Sequence, residues 1–314
     1  MSPFAPLFAL AAAGLLWRSP GDTLTAVGLL GLGLALPRGA RRRSLLGAVV
    51  AGLGLVALSL TTTLWAWLLA FELMSLGLER AGLTGAENRN ASSIHYYSSI
   101  CFLISFSLHE MLIAGPYSTG LFTLGMGLRL GLSLAASPPP VALGLTPICG
   151  LIAITAAQGP LGLNVESLAP WAALASLSPV LCAALGLRIG PAVALAQLGL
   201  GLAAWFTLPD PSWRLPWALT ALATGPLLTH SSGTTGAIGR AWAAGASPML
   251  LITIAVLRAW TALGLGALGA LLLLPNLVAL SVPAPSTEDE AAPDHGWLAL
   301  GLAVAALVAA WSLV

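Results

Sequence analysis

The sequence predicts an all-α fold, a polytopic transmembrane helix bundle of about 12–14 helices, on three observations. Of its 314 residues, 58% are hydrophobic and only 7% charged, with mean hydropathy +0.93, where a soluble domain carries about 25% charged residues. The apolar runs are of helix length, and short Pro, Gly and Arg segments punctuate them. The strand-length alternation that a membrane barrel requires is absent.

Taken in order, residues 4–17 form a short apolar first helix, about 21 Å long. It lacks a basic start and an A-x-A site and so reads as retained, not as a cleaved signal. Residues 23–36 follow and end at Pro37. Residues 44–60 and 62–79 are two helices joined at Thr61, because 36 residues exceed one span. Helices over 94–114, 121–136, 141–158, 167–187, 189–208 and 214–229 come next. Ser137 to Pro140 stop the second of these, and Gly159 with Pro160 break the third. Residues 237–282 hold two spans separated near Arg258. The first is interrupted at Gly245, Ala246, Ser247 and Pro248, where a proline frees a backbone carbonyl and opens a helix break of the kind transporters use. An acidic linker over 286–295 precedes a last helix at 296–314. The whole is one transmembrane domain, with N-terminal helices over 1–60, a core over 61–258 and C-terminal helices over 259–314.

The charges are few enough to be read singly. All twelve basic residues are arginine. Alternate loop placement puts Arg38, Arg41, Arg42, Arg43, Arg80, Arg89, Arg188 and Arg240 on one side and Arg18, Arg214 and Arg258 on the other, which makes the first side the negative, cytoplasm-like one. Arg41, Arg42 and Arg43 are also suited to anionic lipid. A sequon at Asn90 falls on that same side, away from any transferase, and is discounted. Net charge is +1 and scattered, which excludes nucleic acid as a partner. Cys101, Cys149 and Cys182 stand singly, so neither a metal site nor a disulfide is expected. Glycine runs such as 28–33 have no strand before them and are helix-packing surfaces, not nucleotide loops.

One acid organises the rest. Glu72 lies inside the apolar run 64–78, where an ionised carboxylate costs several kcal/mol, roughly 2.5–3.5 on insertion scales. It needs a partner, and the one deeply placed cation is Arg129, flanked by Gly127 and Gly131, which would let a neighbouring helix come close. The pair is expected within salt-bridge reach, either as a packing device or as a charge site in an ion path. His109 and Glu110, near the far end of their helix, could relay protons or simply reach water.

The order of these features resembles the antiporter-like membrane subunits of respiratory complex I, most closely subunit 2 of NADH:ubiquinone oxidoreductase. FELMSL around Glu72 is similar to that family's glutamate helix, and ENRNASSIHYYSS to the segment after it, with Glu87 and Tyr96 or Tyr97 at matching positions. GMGLRLGLS places Arg129 where the family has lysine, and AAQGPL keeps Gln158 but has Gly159 where the family has a second lysine. GASP, with Gly245, Ser247 and Pro248, resembles the family's helix break, and LRIGPA around Arg188 is a weaker match. The resemblance implies a subunit of the membrane arm of a proton-translocating complex, in the mitochondrial inner membrane or, alternatively, a bacterial plasma membrane. Its partners would be other membrane-arm subunits. NADH oxidation and quinone reduction would take place elsewhere, and this chain would have no catalytic residue and bind no cofactor.

The departures point to a narrower role. A buried lysine can release its proton, whereas arginine, with a pKa above about 12, cannot. With no lysine in the chain, the titratable groups within the membrane reduce to Glu72, His109, Glu110 and His230. That set leaves a long apolar gap, so a mainly structural and coupling role is expected. A subunit of a multi-subunit sodium/proton antiporter and a structural membrane scaffold are the alternatives.

Overall fold

The computed structural model describes residues 4–18, 22–36, 40–83, 89–111, 116–135, 140–185, 189–229, 248–274 and 295–311. Among these residues every regular element is helical. The helices are α1 (Ala5–Arg18), α2 (Thr23–Ala35), α3 (Arg42–Leu60), α4 (Leu64–Arg80), α5 (Arg89–Glu110), α6 (Pro116–Ala135), α7 (Pro140–Leu161), α8 (Val165–Ala184), α9 (Ile189–Thr207), α10 (Arg214–Thr229), α11 (Pro248–Ala262), α12 (Gly266–Leu271) and α13 (His295–Ala310). Three stretches are long and apolar enough to cross a membrane: Arg42–Leu60, Ala142–Leu161 and Val165–Cys182. Shorter apolar helices include Ala5–Trp17, Thr23–Ala35, Ala192–Thr207, Pro248–Ala262 and Leu300–Ala310. α4, α5 and α6 are in neither set.

Proline starts helices in this chain and glycine ends them. Pro116, Pro140 and Pro248 are the first residues of α6, α7 and α11. At that position the missing N–H has no intrahelical partner to lose, and φ is already near the helical value. Gly82, Gly162 and Gly264 adopt φ of +75°, +62° and +76° just past α4, α7 and α11. At each, two bonds close the end: Leu83 N–H to Leu78 O and Gly82 N–H to Glu79 O, Leu163 to Gln158 and Gly162 to Gly159, Leu265 to Trp260 and Gly264 to Thr261.

These ends correct three expected boundaries. α6 begins at Pro116, not at 121, because proline is favourable at a helix start. Gly159 and Pro160 do not break α7, which runs to Leu161; so close to the end, Pro160 removes little, and Gly162 makes the stop. Arg258 does not separate two spans either. It lies inside α11, exposed on its outer face, since arginine is a good helix former. The break falls at Gly264 instead. Pro248 is buried at the head of α11, while Gly245, Ser247, His230, Glu87, Arg188 and Arg240 lie outside the described residues.

The chain divides into two compact units, Met1–Ala142 with Ile148–Ser167, and Leu143–Pro147 with Leu168–Val314. In the first, α3 and α4 form an antiparallel pair in backbone contact. A Cβ on Gly47 would lie 2.5 Å from Ala81 N, one on Gly54 2.5 Å from Met74 N, and one on Gly77 would strike the backbone of Ala51. Small residues at helical spacing let the two backbones meet, as in lipid, where close van der Waals packing drives association. Thr63 caps α4, its Oγ1 accepting from Ala66 N–H at 3.3 Å. α5 and α6 form a second antiparallel pair. Ser105 and Ser118 clasp it through reciprocal bonds, Oγ to the partner's carbonyl, at 2.7 and 3.0 Å. Arg41, Arg42 and Arg43 are exposed at the start of α3, where the helix dipole disfavours cations, so local helix energetics do not explain them.

At the end of the first unit, Asn164 caps α8 by accepting from Ser167 N–H at 2.9 Å, which starts that helix at Val165 and not at 167; from Leu168 onward the chain belongs to the second unit. α9 approaches α8 at Gly199, where a Cβ would lie 2.7 Å from Ala172 O. The α9–α10 contact is polar: Gln197 Nε2 donates to Thr224 Oγ1 at 2.7 Å, and Trp217 Nε1 donates to Gln197 O at 3.1 Å. In the turn before α10, the Asp210 carboxylate accepts from Ser212 Oγ and Ser212 N–H, which holds it below the usual carboxylate range.

Candidate charged site of the first unit

Three helices deliver the site. α4 carries Glu72, α6 carries Arg129, and α5 lies between them with His95, Ser98 and Ser99. The register of the α5–α6 pair places Arg129 opposite Ser98. Phe102 sets that register by packing on Gly125, where an added Cβ would lie 2.8 Å from its ring. This corrects the sequence expectation for Gly127, while the side-chain surroundings at Gly131 lie outside the described residues. A Cβ on Gly127 meets nothing within 4 Å, so the close approach is made at Gly125, one turn before Arg129.

Glu72 and Arg129 form the ion pair, with Arg129 NH2 donating to Glu72 Oε1 at 2.6 Å and NH1 to Oε2 at 3.3 Å. This two-pronged geometry suits the planar guanidinium. Nε donates to Ser98 Oγ at 2.8 Å and NH2 also to Ser99 Oγ at 2.9 Å. The Ser99 hydroxyl donates in turn to Glu72 Oε1 at 2.8 Å, so it bridges the two charges. Phe71 packs under the guanidinium, 5.4 Å from ring centre to Cζ. Arg129 is 5% exposed, whereas the side chains of Glu72 and His95 are each 25% exposed, so the site opens on its acid and imidazole side.

His95 is the member that the sequence reading missed. Its Nε2 lies 3.2 Å from Glu72 Oε2 and in close contact with Arg129 NH1, and its Nδ1 is 3.1 Å from the same NH1. A signal for it was present. His95, Ser98, Ser99, Phe102, Ser105 and Phe106 recur at helical spacing and define one face of α5. The flanking Tyr96 and Tyr97 point away from it, 65% and 58% exposed.

Beyond the pair lies a plug of five rings, Trp67, Phe71, Phe102, Phe106 and Phe122, each no more than 2% exposed. Trp67 stacks on Phe71 at 4.8 Å and meets Phe102 edge-on at 5.3 Å. Its indole N–H is taken by Ala153 O at 2.7 Å, so the plug presents no free donor and no titratable group. On the far side, Trp65 Nε1 donates to Glu110 at the end of α5. Glu110 and the part-buried His109 are therefore not brought to Glu72. His95 and Glu110 are separated by about 22 Å along the axis of α5.

Among the described residues no group of three or more His, Cys, Asp or Glu side chains is placed to hold a metal. Cys101, Cys149 and Cys182 are free thiols. Fold and site thus define a class: an apolar, all-helical protein with a shielded charge cluster between three helices. Compared with known protein families, curated proteins and solved structures, the chain has no match.

Proposed function

We propose that the chain is a membrane-arm subunit of a proton-translocating NADH:quinone oxidoreductase, embedded as a polytopic helix bundle, with a structural and coupling role. The Glu72–Arg129 ion pair carries this reading. It sits at the two positions where the sequence resembles the glutamate and lysine helices of the antiporter-like subunits, and a charge pair buried between helices in an apolar protein is a functional site by default. The coupling role rests on chemistry. Arg129 keeps its charge, and the aromatic plug interposes no group able to pass a proton on to Glu110. A cluster of this kind transmits a change in helix position rather than conducting through the bundle.

Two experiments test the reading. The tagged chain, purified from its native membrane in mild detergent, is expected to bring down redox-active and membrane-arm subunits. Recovery with antiporter subunits alone would reassign it to a sodium/proton antiporter, and recovery of the chain alone would leave a scaffold. In the assembled complex, Glu72→Gln is expected to leave the number of protons moved per NADH unchanged. A fall by one full channel's share, with assembly intact, would show that the chain pumps.

A further inference from the structure

We propose that the arginine end of the α3–α4 pair is a binding site for an anionic phospholipid, with the headgroup phosphate held by Arg42, Arg43 and Arg80 and the acyl chains lying along the leucines below them. The close approach of the two helices assembles the site. An added Cβ on Gly47 would lie 2.7 Å from the Arg80 carbonyl carbon, so the last turn of α4 rests on the second turn of α3. Arg43 stands one helical turn before Gly47, which brings it to the same end of the pair as Arg80. Four exposed arginines, Arg41, Arg42, Arg43 and Arg80, are thereby gathered at that end, against a single exposed acid, Glu79. Among the described residues none of the four arginines makes an ion pair or a side-chain hydrogen bond.

Like charges gathered without partners repel one another, and three of them also oppose the dipole of α3. An anion reverses both costs. A phosphate accepts paired N–H bonds from the planar guanidinium, and the N-terminus of α3, whose N-cap Arg41 supplies no capping side chain, favours negative charge as well. The neighbouring surface points to a phosphate that carries acyl chains. Arg42, Leu46 and Leu53 recur at helical spacing on α3, and Arg80, Leu76, Leu73 and Leu69 do so on α4; every one of these side chains is exposed. Each exposed stripe therefore begins with a cation and continues inward as leucine, the order in which a phospholipid presents its headgroup and its chains. α3 is itself long and apolar enough to cross a membrane, with these arginines at its start. The site rests on α3 and α4 lying in a bilayer and stands whether or not the chain belongs to a respiratory assembly.

The test is native mass spectrometry of the full chain in a neutral detergent, titrated with phosphatidylglycerol or with zwitterionic phosphatidylcholine. The first phosphatidylglycerol is expected to bind more tightly than phosphatidylcholine. Arg80→Gln and Arg43→Gln are each expected to weaken it about fivefold, the share of one basic residue at an anionic lipid surface. Arg258→Gln, which removes an equally exposed arginine from α11, is expected to change nothing. Equal binding of the two lipids, or equal loss in Arg258→Gln and Arg80→Gln, overturns the proposal, since the attraction would then come from the chains alone or from net charge alone. Displacement of the lipid by an equal concentration of glycerol phosphate also overturns it, because the site would then take a soluble anion. If Arg80→Gln does not fold, Arg43→Gln against Arg258→Gln decides. Neither proton transport nor co-purification enters the measurement, so its outcome and that of the functional assignment are read separately.

Discussion

Replacing Arg129 with methionine is expected to destabilise the first unit by about 3 kcal/mol, the lower end of the range for breaking a buried ion pair. The lower end applies because Glu72 retains 25% exposure of its side chain and can recover some hydration. Methionine preserves much of the volume and the contact with Phe71. What is lost is the charge that compensates Glu72, together with the donors to Ser98 and Ser99. The double variant Glu72→Met with Arg129→Met is expected to regain most of that loss, since replacing both members of a buried pair by apolar residues is often neutral. Equilibrium unfolding in mixed micelles measures both. If Arg129→Met alone shifts stability by less than about 1 kcal/mol, the pair is a solvated contact of the surface type, and the reading of a shielded site fails.

Gly77→Val is expected to part α3 from α4. Any Cβ at Gly77 strikes the backbone of Ala51 and lies 2.8 Å from Gly47 O, and backbone atoms cannot rotate aside as a side chain can. Overpacking a core typically costs about 1–3 kcal/mol, and this position belongs at the top of that range or beyond it. Gly127→Ala is the matched control. Its Cβ meets nothing within 4 Å, and in the interior of α6 an alanine is expected to stabilise by about 0.4–1 kcal/mol by narrowing the unfolded ensemble. A disulfide cross-link engineered across the α3–α4 contact would form readily in the wild type and poorly in Gly77→Val. Equal cross-linking in both would show that the two helices are not held by that contact.

The contrast between Gly77 and Gly127 marks the boundary between local and tertiary information. Both stand inside helices, and the sequence predicts a packing role for Gly127 because it flanks Arg129. The structure gives that role to Gly125, through Phe102, and leaves Gly127 open. Which glycine faces a neighbour depends on the rotation of one helix against another, and a single helix's residues do not encode that angle.

What the sequence determined by itself was the helical class and the pairing of Glu72 with Arg129. Helix formation in an apolar chain satisfies backbone groups within each segment, so it follows from local composition. The pairing follows from the cost of an isolated charge, with Arg129 the one cation deep in an apolar run. Most helix ends were legible to within a few residues. Pro116, Gly162 and Gly264 set three of the ends that differ, and Asn164 sets the start of α8; α5, expected at 94–114, runs Arg89–Glu110, so its first turn takes in residues expected in the loop over 80–93. The tertiary structure alone decided that His95, Ser98 and Ser99 share the site and that five aromatic rings separate it from Glu110. Those placements rest on the registers of α5 against α4 and α6, which are fixed by contacts such as Ser105 with Ser118 and Phe102 with Gly125. A slide of one turn, about 5.4 Å, would carry His95 away from both charges, yet it would leave every local helical preference unchanged.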